Sequence, residues 1–350
     1  MFQDKNLKNI GIEVIRKVED ENVIAIVDKV ATKIKNTFYD NNINYLDIYK
    51  TLLDTPMYYA KIPDGLSEAN YFYENSTIYF SENIDIENLN EFVYHECIHK
   101  LQERKDKKGN ITRLGICEVN ELSVKATALN EGAIQYITSK ILNKHVKSAN
   151  IYNITIPTKT EYYPILTNII SQIAYLLGEN ILIDSVINGN EDFKIEIIDN
   201  LGESEYNTIE KNTNEILKIK NIISELQKEE ATQEICTKIS ANIEQIRQLY
   251  FETQNLIFTA YFNNILKRVE NEEEINVLKN KLYLYGNLIG TAMDYSYYDN
   301  YKLEFDQKCR TKLQEMKNRT PLLVIRDNII FRIIRKIKML FTNSRNEYYK

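Results

Sequence analysis

The sequence predicts an α+β protein that is mostly α, with one small antiparallel sheet. Three observations carry this. Only 10 Gly and 5 Pro interrupt a chain of 350 residues rich in Lys, Glu, Ile and Leu, which favours helix. Apolar residues recur at helical spacing near the start and almost continuously beyond residue 205. Between residues 57 and 82 the texture changes to short aromatic and β-branched runs parted by turn residues.

Residues 7–53 read as two or three helices. The clearest is "NVIAIVDKVATKIKNTF", with Val23, Ile26, Val27, Val30 and Ile34 on one face. "INYLDIYKTLL" follows, and Pro56 breaks it. "MYYAKI" and "STIYFSE" belong to a sheet of about three strands. A helix over residues 86–104 comes next, with Asp85 as its N-cap. "KDKKGN" is a loop, "RLGICE" a short strand or turn, and a second helix covers residues 123–143. Polar "SANIYNITIPTKTEYY" connects it to a third helix from Pro164 to Leu177. The expected domains are N-terminal helices at 1–56, a core at 57–180 and a helical domain at 181–350.

A formal net charge of −6 argues against nucleic acid as a partner, since phosphate binding needs a basic surface. Residues 321–345 are the exception at net +5, which leaves −11 on the rest. Cys97, Cys117, Cys236 and Cys309 are scattered, with no CxxC pair. The start has no apolar stretch of signal-peptide length, and no apolar run reaches membrane-spanning length. A reduced, cytoplasmic protein is expected.

The chemistry concentrates in "EFVYHECIHKLQ", which holds two of the three histidines. His95 and His99 are four apart, so on a helix both imidazoles can face one ion. Glu96 is turned about 100° from His95, which suits a general base acting on a zinc-activated water rather than a ligand. Leu89, Val93 and Cys97 form one apolar row, and Tyr94, Ile98 and Leu101 another. Two imidazoles and a carboxylate buried in that setting call for a partner such as a metal. A catalytic zinc takes three protein ligands and keeps one position open. The third ligand is His145 or a carboxylate, and "LNEGAIQYI" offers Glu131.

HECIH followed 32 residues later by the Glu of LNEG resembles the gluzincin group of zinc metallopeptidases. Asn130, Glu131, Gly132 and Gln135 stand in the places of its N-E-G-x-x-[EQ] pattern, and "STIYFSENID" leads into the metal helix as its substrate-binding edge strand does. The resemblance covers residues 57–180. It implies a zincin-like core with two metal-bearing helices and one catalytic zinc on His95, His99 and Glu131. It further implies Glu96 as the base and a peptide or protein as substrate. Such an enzyme also needs an oxyanion donor. His145, about 21 Å of helical rise past Glu131, is too far. Tyr163, with Tyr162 as the alternative, fits better. No Gly-x-Met-x-Asn stretch precedes the helix, so an endopeptidase is favoured over an aminopeptidase. Asn120, Glu121 and Glu118 are candidates to orient an imidazole. The alternative function is a weakly active or inactive zincin-like scaffold.

Residues 322–341 carry Ile330, Ile333, Ile334, Ile337, Leu340 and Phe341 on one stripe, with Arg332, Arg335, Lys336 and Lys338 off it. The favoured reading is a last helix packed on the helical domain, and contact with an anionic membrane surface is the alternative.

Overall fold

The computed structural model describes residues 7, 10–63, 66–120 and 123–318. The basic stripe at 322–341 and Glu121 therefore lie outside the described residues. The protein is mostly helical with small sheets, as the composition predicts.

The first strand, β1 (Glu13–Lys17), precedes α1 (Asp20–Thr37) and α2 (Tyr45–Leu53). Helix α1 buries Val23, Ile26, Val27, Val30 and Ile34, the row its spacing marks. Strands β2 (Met57–Lys61), β3 (Ala69–Phe72) and β4 (Thr77–Ser81) follow. They join β1 in a four-stranded sheet of order β1-β2-β4-β3. This corrects the expected three-stranded antiparallel sheet: β2 and β4 run parallel, with Tyr58 opposite Tyr79, and β1 extends the sheet. It also moves the edge. "STIYFSENID" supplies β4, which is interior, while β3 and β1 are the edges.

The helix that carries HECIH is shorter than expected. α3 runs over Glu91–Leu101, and its N-cap is Asn90, whose Oδ1 accepts from the amides of Phe92 and Val93. Asp85 instead closes a turn upstream by accepting from the amides of Glu87 and Asn88. A four-stranded antiparallel meander follows, which extends the short strand or turn expected at "RLGICE" and replaces the helix ends expected at 103–104 and 123–125: β5 (Glu103–Lys105), β6 (Ile111–Leu114), β7 (Cys117–Asn120) and β8 (Ser123–Lys125). Gly115 makes the two-residue turn between β6 and β7 with a φ of 58°. Because β8 takes residues 123–125, α4 covers only Thr127–Ile141.

The expected polar connection after α4 is a hairpin of β9 (Lys147–Ile151) and β10 (Ile154–Thr158). Its turn residues Tyr152 and Asn153 both have positive φ, the signature of a tight two-residue turn. Helix α5 spans Pro164–Leu177 as expected, with Pro164 in its first turn. Then come α6 (Glu179–Ile187), α7 (Asp192–Leu201), α8 (Glu203–Leu226), α9 (Gln233–Arg268) and α10 (Glu272–Ile289), and residues 295–318 are helical too. Among the described residues no single helix is long and apolar enough to cross a membrane.

Two compact units emerge. The first holds the described residues up to Tyr261 together with Asn287–Asp294, so the boundaries expected at 56 and 180 fall inside it. The pairing of β1 with β2 ties the N-terminal helices into the core. The second unit holds Phe262–Gly286 and the described residues from Tyr295 onward. Its centre is aromatic: Phe262 packs edge-on against Phe305 and Tyr285, and the Tyr298 hydroxyl donates to the Leu282 carbonyl.

Candidate metal centre

Helices α3 and α4 bring the expected donors together. His95 Nε2 lies 3.2 Å from Glu131 Oε2 and 3.2 Å from His99 Nε2, and His99 Nε2 lies 3.5 Å from Glu131 Oε1. Three donors on a tetrahedral zinc, each about 2.0–2.1 Å from it, would stand about 3.3 Å apart, so this spacing fits such an ion. His95 is buried, and the side chains of His99 and Glu131 are each 17% exposed.

Gly132 explains how Glu131 is carried to this point. A Cβ there would meet the Leu166 carbonyl oxygen at 2.8 Å, so glycine lets α4 and α5 pack backbone to backbone. At the start of α4 the amide of Ala128 donates to Asn214 Oδ1 on α8, which satisfies one of the open N–H groups of the first turn.

Two glutamines orient the imidazoles. Gln135 Oε1 accepts from His95 Nδ1 at 2.9 Å, and its Nε2 donates to Glu91 Oε2 and Thr160 Oγ1, so both ends of this amide are fixed. His95 therefore keeps its proton on Nδ1 and turns a bare Nε2 toward Glu131. At His99 Nδ1 the partner is Gln102 Nε2 at 3.0 Å, while Gln102 Oε1 is buried without a partner. The reverse orientation of this amide lets Oε1 accept from His99 Nδ1–H. It also places Nε2 beside Asn130 Oδ1, since that atom and the orphaned oxygen lie 2.5 and 2.0 Å from where a Gly115 Cβ would stand. His99 then also presents a bare Nε2. Two imidazole lone pairs and a carboxylate facing one another repel unless a cation lies among them, and this donor set could hold a metal ion.

Burial raises the Glu131 carboxyl, but when the imidazoles are protonated the charge of His99 and His95 and their hydrogen bonds outweigh it and hold the group well below the usual carboxylate range. Glu96, half-buried on the same helix as the histidines, is pushed up to about 7, chiefly by burial. His95 and the Tyr71 amide oppose that rise. The Tyr71 amide donates to Glu96 Oε2 at 2.7 Å, from the free edge of β3.

Aromatic side chains wall the centre. The Tyr71 ring stacks parallel to His99, with centroids 6.3 Å apart. Tyr162 meets His95 edge-on at 5.8 Å, and Tyr163 stands 6.4 Å from the same ring. Tyr163 is held at φ 49° and ψ 40°, a costly left-handed conformation for this residue. Burial raises both of these hydroxyls, which keeps them protonated and able to donate.

Other expected residues are elsewhere. His145 is exposed and takes no part among the donors. Glu118 pairs with Lys194 and does not orient an imidazole. That role falls to Gln135, noticed in sequence only as a motif residue, and to Gln102, whose position three after His99 on a helix was an available signal.

Comparison with known protein families, curated proteins and solved structures finds no match to this chain, so the reading of the site rests on its own geometry.

Proposed function

We propose that this chain is a zinc-dependent peptidase of gluzincin type, with a zincin-like core, cutting within peptide or protein substrates. The supporting observation is the convergence of two imidazoles and a carboxylate from separate helices, with the Glu96 carboxyl beside them. His95, His99 and Glu131 would hold the zinc, which when bound acts as a Lewis acid toward water and a carbonyl. Glu96, with a pKa near neutrality and Oε1 not engaged by Tyr71, takes the proton of the attacking water and returns it to the leaving amine. Tyr163, or Tyr162 beside it, donates a hydrogen bond to the oxyanion. Cys97, Cys117, Cys236 and Cys309 are free thiols, which supports a reducing, cytoplasmic location.

One observation favours a second reading, a metal-binding scaffold without turnover: Glu96 is tied to the Tyr71 amide and not to solvent alone. A proteome-wide cleavage profile of the zinc-loaded wild type against Glu96→Gln separates the two. The peptidase reading expects new termini in the wild type alone, with zinc kept by both proteins. Identical profiles would leave only the scaffold.

A further inference from the structure

A cation from far downstream stands beside the candidate centre. Lys220, on α8, is half-buried, with Nζ 4.9 Å over the Tyr163 ring and 5.7 Å from the Tyr162 ring. Lys100, Lys105, Lys140, Lys144 and Lys194 of the same unit each close an ion pair with a glutamate. Lys220 closes none among the described residues. The carboxylate whose charge reaches it is Glu131, already committed to the donor triad.

Lys220 also lines a pocket of about 350 Å³ together with Tyr162, Tyr163, Ile151, Tyr152, Ile216 and Leu217. Ile216 and Leu217 precede Lys220 by four and three residues, so they share its helical face and give the pocket an apolar wall below the charge. Glu161, also in the wall, pairs with Lys147 and faces solvent, its side chain 77% exposed. Lys220 is thus the one uncompensated charge of the lining. A half-desolvated ammonium above an apolar wall suits a group with a short apolar body and an anionic end.

We propose that Lys220 and this pocket bind a carboxylate of the peptide substrate next to the bond that is cut, so that the enzyme selects acidic substrates. This rests on the peptidase reading for its meaning, but binding can be measured without turnover. The probes are N-acetylated, C-amidated octapeptides in which a single Glu is walked along a neutral sequence, each with its Gln counterpart, plus the neutral sequence with a free C-terminal carboxylate. They are titrated calorimetrically into the zinc-loaded full chain carrying Glu96→Gln.

At least one carboxylate-bearing probe is expected to bind about tenfold tighter than its neutral counterpart. Lys220→Gln should remove that preference while leaving the neutral peptides unchanged, and Lys220→Arg should restore it. Preference for a Glu probe assigns the carboxylate to a side chain, and preference for the free terminus assigns it to the chain end. Equal binding of acidic and neutral probes, no binding at all, or a preference that survives Lys220→Gln overturns the proposal. Failure of the wild type to cleave any probe while the preference persists would instead count against the peptidase reading alone.

Discussion

The Nδ1 of His95 donates to Oε1 of Gln135 across 2.9 Å, and Gln135 is itself pinned by Glu91 and Thr160. This contact fixes the tautomer that leaves Nε2 available at the donor triad. Gln135→Leu removes the acceptor and keeps roughly the same volume. Zinc affinity, read by chelator competition, should fall about 10–100-fold with the fold retained by circular dichroism. Unchanged affinity would show that the tautomer needs no support.

Under the peptidase proposal, Tyr163 and Tyr162 are the competing candidates for the oxyanion donor. Tyr163→Phe is expected to lower kcat about 10²–10³-fold with little change in KM, and Tyr162→Phe to do much less. The reverse ranking assigns the donor to Tyr162. A loss confined to KM in both variants would place neither on the transition state.

Gly132 is where α4 meets the Leu166 carbonyl. Gly132→Ala should destabilise the protein by about 1–3 kcal/mol, because the backbone oxygen cannot give way as a flexible side chain would. The shift of α4 should also weaken zinc binding through Glu131. Thermal unfolding checks the first effect and chelator competition the second, and a variant as stable as wild type would contradict the close approach.

Glu103 joins the meander to the first sheet. It accepts from the Tyr71 and Ser76 hydroxyls and pairs with Lys100 and Lys105. Burial raises its carboxyl, but the hydrogen bonds from Lys105 and Tyr71 and the charge of Lys100 outweigh it, so the group titrates below its ordinary value. A folded pKa below the unfolded value of about 4.3 means its contribution is present above that pH and lost as pH falls through the folded pKa. Wild type should therefore exceed Glu103→Gln in thermal midpoint at neutral pH, with the gap closing only below about pH 4. A gap independent of pH would mean that the charge of Glu103 is not what stabilises.

Much of the local structure was legible in the sequence. Pro164 marks the start of α5 because its fixed φ and missing N–H suit a first helical turn, and the apolar row of α1 is readable from spacing alone. The convergence of His95, His99 and Glu131 was expected from helical periodicity for the histidines and from the resemblance to the gluzincin pattern for Glu131. The strand order was not legible, because the parallel pairing of β2 with β4 is decided by packing and not by either segment alone. The β9–β10 hairpin escaped because Tyr152 and Asn153 hold its turn without the glycine that normally signals one. Lys220 carries no local signal at all; only the fold brings α8 over Tyr162 and Tyr163.

Metal analysis of the purified full chain tests most directly whether His95, His99 and Glu131 form a zinc site. About one zinc per chain is expected, falling to near zero in His99→Ala and retained in Glu96→Gln. A wild-type protein that holds no zinc and takes up none when it is supplied would contradict the account.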